Sequence, residues 1–171
     1  TKPVTLHRSA TMFRTALAGI QYLFLGTGDA ANPPTAGGAF IKSHPDKDIP
    51  DMQIHYVSIA VPDVHGRADI PTEHGFSSIV YACRPQSRGH LTLKSSNAKD
   101  APLMFPNYLS EEQDLIDTRN GFRETRRVFM QEAFDEYRGD QLKPGLDVNI
   151  DDDQELDQWI RETGETLYHP I

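Results

Sequence analysis

The sequence has little cysteine, no excess of positive charge and no long hydrophobic run. Its single cysteine, Cys83, cannot form an internal disulfide and lies in an apolar run, so we expect a buried thiol in a reducing, cytoplasmic compartment. Lys and Arg number 17 against 25 Asp and Glu, and the net charge of -8 argues against a nucleic-acid surface. The apolar segment 16–25 is interrupted by Gly19 and Gln21 and is shorter than the ~20 residues that span a bilayer. We therefore predict neither a nucleic-acid partner nor a membrane span.

Hydrophobic periodicity predicts three helices in a single domain that covers residues 1–171. The first runs from a cap at Ser9 to Gly26, and the second from a capping box at residues 110–113 to about Phe134. The third begins near Asp151 or Asp152, where a carboxylate suits a helix N-terminus. This last helix is predicted to bury Leu156, Trp159 and Ile160.

Short runs with strand-like alternation fill the middle of the chain, at residues 38–42, 52–60, 76–84 and 90–95. The brief link at 86–89 predicts that the last two strands pair as an antiparallel hairpin. Together the elements predict an α+β fold, in which a largely antiparallel β-sheet has helices packed on one face. The other face must meet solvent, a partner or a substrate.

Most local candidates for chemistry have a simpler structural interpretation. Residues 26–31 match the G-x-G-x-x-A dinucleotide fingerprint, but a helix precedes them and prolines follow, so the strand-to-helix turn that holds a pyrophosphate is not predicted. His65 and His74, with Asp63, are a poor match to zinc spacing, and no metal site is expected. His55 alternates with Ile54 on a strand, where a hydrogen-bonded structural histidine is the default.

His169 is the strongest catalytic candidate. Pro170 restricts the preceding backbone to extended conformations, and Tyr168 supplies an aromatic body with a polar tip. An imidazole held on a rigid segment is suited to general-base catalysis near neutral pH.

Five motifs occur in the order found in one family of flavoenzymes. They lie at residues 36–43, at 84–95 with the pattern Pro-x-Ser-Arg-Gly-x-Leu-x-Leu-x-Ser, at 106–110, at 137–139 with 144–145, and at 165–170. The chain thereby resembles the substrate-binding part of the glucose-methanol-choline (GMC) oxidoreductases, which include choline dehydrogenase. The resemblance implies a parent enzyme in which an alcohol gives hydride to FAD. It also implies that His169 is the catalytic base and that Tyr168 lines the substrate pocket.

The resemblance further implies partners outside this sequence. The FAD-binding domain of the same parent chain lies upstream in the family, so we expect this chain to be an excised substrate domain that is inactive alone and binds no FAD. The substrate is a small-molecule alcohol; choline and a general primary or secondary alcohol are equally compatible, and peripheral membrane association of the parent stays open. The alternatives are a non-enzymatic α+β binding module that docks a partner on its open sheet face, or a decayed fragment.

Overall fold

The computed structural model describes residues 5–9, 11–61 and 74–166. Its helices are α1 (Met12–Leu25), α2 (Glu112–Phe129) and α3 (Asp153–Thr163), with short 3-10 turns at Leu6–Ser9, Asp29–Ala31 and Glu132–Phe134. Its strands are β1 (Thr35–Ile41), β2 (Met52–Val57), β3 (Ser77–Ala82), β4 (His90–Thr92) and β5 (Leu103–Phe105). Helices packed with antiparallel sheets confirm the predicted α+β class.

The strands form two sheets, a three-stranded sheet in the order β1-β2-β3 and a two-stranded ribbon of β4 and β5. All pairs are antiparallel. The predicted hairpin between residues 76–84 and 90–95 is therefore wrong, because β4 pairs with β5 instead of β3. The second strand of the ribbon, β5, has only three residues and was too short to be predicted from alternation.

Helix α2 packs on one face of the three-stranded sheet, which we call the inner face. A Cβ built at Gly121 would lie 2.6 Å from Met52 Cε and 3.1 Å from Val80 Cγ2, so the missing side chain permits the close approach. Met52 and Ile54 are completely or almost completely buried there, at 0% and 1% exposed. The inner face is therefore the core of the sheet.

Helix α3 packs against α2, and its predicted start and two of its three predicted buried residues are confirmed. Asp152 is its N-cap and accepts hydrogen bonds from the amides of Gln154 and Glu155. Leu156 and Ile160 are buried against Leu115, with Trp159 half-buried beside them. Ion pairs add to this contact: Arg119 bonds Asp157 at 2.6 Å and Asp153 at 3.3 Å.

Two predicted helix starts are wrong. The N-cap of α1 is Thr11 instead of Ser9, although Gly26 ends the helix in the left-handed conformation as predicted. The N-cap of α2 is Glu111, whose side chain makes no capping bond. Its amide donates to the Ser87 hydroxyl at 3.1 Å, so a distant residue takes the place of the expected capping box. This helix also ends at Phe129, five residues before the predicted end.

Helix α1 buries none of its residues, although its sequence is apolar on most sides. Met12 and Phe24 are 90% and 82% exposed. Within the described residues, no helix is long and apolar enough to cross a membrane.

The buried carboxylate of Asp114 joins the first turn of α2 to the segment that leaves β3. It accepts the amides of Gln86 at 2.7 Å and Ser87 at 2.8 Å, and also the Ser87 hydroxyl. Burial alone would raise the pKa of Asp114, but these hydrogen bonds and the charge of Arg88 outweigh it and lower the pKa. The serine of the Pro-x-Ser-Arg-Gly motif therefore anchors the chain to α2.

Replacing Asp114 by Ala is expected to lower the free energy of unfolding by about 2–3 kcal/mol, because three donors lose their buried acceptor. Since its folded-state pKa lies below its ordinary value of 3.8, this stabilisation is present above that value and lost as the pH falls through the folded pKa. Urea unfolding at neutral and acid pH measures both effects. The exposed Asp48→Ala is the control, and equal unfolding curves for the two variants would contradict the assignment.

Candidate functional site

The face of the three-stranded sheet opposite α2, which we call the outer face, is the main candidate. Neighbouring residues of a strand point to opposite faces, so Gln53 and His55 lie opposite the buried Met52 and Ile54. The pairing of β2 with β3 places Ile79 and Tyr81 on the same face as Gln53 and His55, and the pairing of β1 with β2 adds Phe40. Phe40 is 63% exposed and Ile79 is 36% exposed. The outer face is thus a partly polar, partly apolar surface.

Three polar side chains on this face form one group, which we call the His55 cluster: Gln53, His55 and Tyr81. His55 Nε2 lies 2.9 Å from the Tyr81 hydroxyl and 3.2 Å from Gln53 Nε2. The rings of His55 and Tyr81 stack, with centroids 5.6 Å apart and planes inclined by 17°. All three residues are half-buried.

The chemistry available to the cluster is hydrogen bonding and proton exchange. Imidazole changes charge closest to neutral pH among the common side chains. The Tyr81 phenol is protonated at neutral pH even at its ordinary pKa of 10.0, and burial raises that pKa, with a further contribution from the nearby Cys83. The cluster therefore joins an imidazole, a phenol hydroxyl and an amide in one hydrogen-bonded group on the outer face.

The sequence interpretation of His55 as a hydrogen-bonded strand histidine agrees with these contacts, but it missed the site around it. Alternation places Gln53 and His55 on one face, which the sequence can indicate. The contact with Tyr81 depends on the register between β2 and β3, and nothing local encodes that register.

The two predicted site residues, Tyr168 and His169, lie outside the described residues, as do His65 and Asp63. The third member of the weak zinc pattern, His74, is described, and its Nδ1 lies 2.9 Å from the Thr5 hydroxyl. Among the described residues no three His, Cys, Asp or Glu side chains are grouped closely enough to hold a metal. Cys83 is half-buried where full burial was expected; burial raises the pKa of its thiol, and so does the charge of Asp51.

A second polar group lies at the end of the sheet, where the β1-β2 turn meets α2. The Ser43 hydroxyl is 2.7 Å from Asp51 Oδ2 and 2.8 Å from Asp117 Oδ1. Lys47 Nζ is 3.1 Å from Asp51 and 2.9 Å from Asp117. Burial opposes the charge of Asp51, but hydrogen bonds from Ser43 and Lys47 outweigh it and lower its pKa.

This second group is structural. A shallow concavity of about 440 Å³ lies beside it, with Lys47, Gln86 and Gln113 among its lining residues. The polar side chains of this lining bond to other residues of the chain: Gln113 donates to Asp117, and Lys47 forms ion pairs with Asp51 and Asp117. These polar groups therefore hold α2 to the turn.

The segment at residues 26–31 does not have the geometry that binds a flavin nucleotide. Helix α1 precedes it, and only the 3-10 turn Asp29–Ala31 follows before β1 begins. A turn of three residues has no helix N-terminus to receive a pyrophosphate. The described residues thus do not fit FAD at this fingerprint.

Comparison with known proteins gives a consistent set of matches. The family model described as GMC oxidoreductase matches residues 85–171. An oxygen-dependent choline dehydrogenase of Pseudomonas fluorescens (strain SBW25) is 39% identical over 170 residues, which is 99% of this chain and 29% of that protein. The chain thus spans less than a third of that relative's length.

Solved structures show a similar fold at low sequence identity. Pyridoxine 4-oxidase from Mesorbium loti matches with a TM-score of 0.62 and 18% identity, over 74% of this chain and 24% of that one. Formate oxidase from Aspergillus oryzae RIB40, in a variant made to study FAD modification, matches with a TM-score of 0.56 and 16% identity. The match covers 92% of this chain and 24% of that one.

Replacing Lys47 by Met is expected to lower the free energy of unfolding by about 2 kcal/mol, because two buried carboxylates lose their shared cation. The hydrogen bond to Asp117 raises the pKa of Lys47, so its stabilisation is present below the ordinary value of 10.5 and lost as the pH rises through the folded pKa. Thermal unfolding checks the effect, with the exposed Lys42→Met as the control. A Lys47 variant as stable as the Lys42 variant would contradict a structural role.

Proposed function

Because the chain belongs to the GMC oxidoreductase family, we propose that it is the substrate-binding part of a longer FAD-dependent enzyme that oxidises an alcohol to an aldehyde or ketone. The family match over residues 85–171 supports the class of enzyme. The observation that carries the substrate-binding role is the outer face, where the His55 cluster adjoins the apolar Phe40 and Ile79. A pocket wall of this kind combines apolar surface with a few oriented polar groups.

FAD, bound by the rest of the parent protein, would accept the hydride that leaves the alcohol carbon. The described residues fit no flavin nucleotide at residues 26–31, since a helix and a short turn stand where a strand and a helix would be needed. The FAD-binding domain of the parent chain is therefore the expected partner of this domain. As part of this proposal, we expect the 171 residues alone to bind no FAD and to oxidise no alcohol.

His169 is the residue proposed to accept the hydroxyl proton of the alcohol. Its imidazole, which precedes Pro170 in the sequence, would take the hydroxyl proton as the hydride leaves, and Tyr168 would line the pocket beside it. A positioned general base typically contributes about 10²- to 10⁴-fold to the rate. His55, on the outer face, would hydrogen-bond the same oxygen as its negative charge develops.

The substrate is a small alcohol, and the outer face is compatible with a charged or an uncharged one. Strands β1, β2 and β3 contain no Asp or Glu, so they offer no carboxylate to a quaternary ammonium group. Phe40 and Tyr81 present aromatic rings, which attract cations through their faces. Choline, the substrate named for a similar protein, and an uncharged alcohol both fit this surface.

In the full-length protein, His169→Ala is expected to lower kcat by about 10²- to 10⁴-fold, because no base takes the hydroxyl proton. Flavin content and alcohol binding should be retained. Steady-state kinetics with choline and with simple primary alcohols measure the effect, and flavin absorbance reports the cofactor content. His44→Ala, an exposed histidine of the β1-β2 turn, is the matched control. Unchanged turnover in the His169 variant would refute its role.

A further inference from the structure

We propose that one side of helix α1 is the surface on which the FAD-binding part of the same parent protein docks. This side, which we call the α1 face, consists of large apolar residues that recur with the period of a helix: Met12, Phe13, Leu17, Ile20, Leu23 and Phe24. The identity of the partner rests on the proposed function, whereas the need for a partner rests on the helix itself.

The helix turns its small residues toward the rest of the described structure and its large ones away from it. Ala18 and Gly19 are its only half-buried residues, and none is buried. The side chains of the α1 face are between 49% and 90% exposed. A contiguous apolar surface of this kind marks an interaction site, because soluble proteins rarely expose one to water.

The ends of α1 do little to offset this exposure. The helix has 14 residues, and an isolated helix of that length is marginally stable in water. Thr11 makes no capping hydrogen bond, the first turn has no acidic residue and the last turn has no basic one. The stability of α1 therefore depends on packing, and the α1 face is the side available for it.

Backbone hydrogen bonds on either side of the helix determine where the α1 face lies. Before the helix, the amide of Leu6 donates to the carbonyl of Ser58 at 3.0 Å; after it, the amide of Ser58 donates to the carbonyl of Pro34 at 2.9 Å. These bonds hold α1 at the end of the sheet where β2 ends and β1 begins. His55 lies two residues before that end of β2. A partner on the α1 face would thus stand at the end of the sheet that is nearer to His55.

Length and charge favour the parent protein as the occupant. This chain covers 29% of the similar choline dehydrogenase, so most of a parent of that length would lie outside residues 1–171. Arg14 is the only charged residue of α1, and low charge is typical of permanent interfaces. A helix that binds an anionic membrane surface instead carries several Lys or Arg, and the net charge of this chain is -8. The FAD-binding part must meet this domain if the two share one reaction, so it is the occupant that we infer.

The test puts the photoreactive residue p-benzoylphenylalanine in place of Phe24, and separately in place of Phe13, in the full-length protein. Illumination couples this residue to whatever lies against the α1 face, and peptide mass spectrometry identifies the coupled residue. We expect coupling to the FAD-binding part of the same polypeptide, in a product with the mass of one chain. The same replacement of Asp48, an exposed residue in the turn at the opposite end of the sheet, is the control and should couple in lower yield.

Phe24→Asp adds a second measurement. A carboxylate pressed against an apolar partner is unfavourable, so we expect a lower unfolding temperature and loss of bound FAD during gel filtration. Gln21→Asp places the same acid in the same turn of α1 but outside the α1 face, and should retain FAD. Equal FAD retention in the two variants would contradict the inference.

The coupled residue separates the possible occupants. Coupling to a second copy, seen as a product of twice the mass, would make the α1 face a dimer interface and overturn the inference. Coupling to no protein residue, or only to added phosphatidylglycerol vesicles, would overturn it as well, and so would coupling to a part of the chain that does not bind FAD. If the full-length protein binds FAD but oxidises no alcohol, the proposed function fails, while the coupled residue still decides what covers the α1 face.

Discussion

The carboxylate of Asp114 accepts three hydrogen bonds from Gln86 and Ser87, and the arrangement of the sheet depends on them. They fasten the chain that leaves β3 to the first turn of α2, so the helix runs back across the inner face. Gly121, two turns further along, provides the room for its close approach to Met52. One face is thereby buried under α2, which does not cover the other face, and β4 pairs with β5 instead of β3.

The difference between the two faces of the sheet explains why the Asp51–Asp117 group and the His55 cluster have different roles. The buried carboxylates of Asp51 and Asp117 are paired within the protein by the Ser43 hydroxyl and the Lys47 ammonium. Such pairing is what burial of a charge requires. The His55 cluster lies instead on the surface that α2 does not cover, beside the exposed Phe40. Polar groups with an imidazole and an apolar border suit recognition of a small molecule, whereas a saturated buried network suits stability.

Local patterns predicted much of the fold, and long-range contacts account for the errors. Alternation and periodicity located the first three strands of the sheet region, α1 and α3, because burial of one face imposes those periods. The capping box at the start of α2 failed because Ser87, 24 positions earlier, binds the Glu111 amide. The β3-β4 hairpin failed because Asp114 holds the intervening link. Within the site, alternation could place His55 on a face, but its contact with Tyr81 depends on the register between β2 and β3. Tyr168 and His169, predicted from their local sequence and from the family resemblance, lie outside the described residues.

The central claim is that the outer face forms a wall of the alcohol pocket in the full-length flavoenzyme. A crystal structure of that protein with a bound, unreactive alcohol analogue tests it directly. The account predicts the analogue's oxygen within hydrogen-bond distance of His55, with the carbon chain against Phe40 or Ile79. An analogue bound elsewhere, with the outer face covered by other parts of the protein, would contradict it.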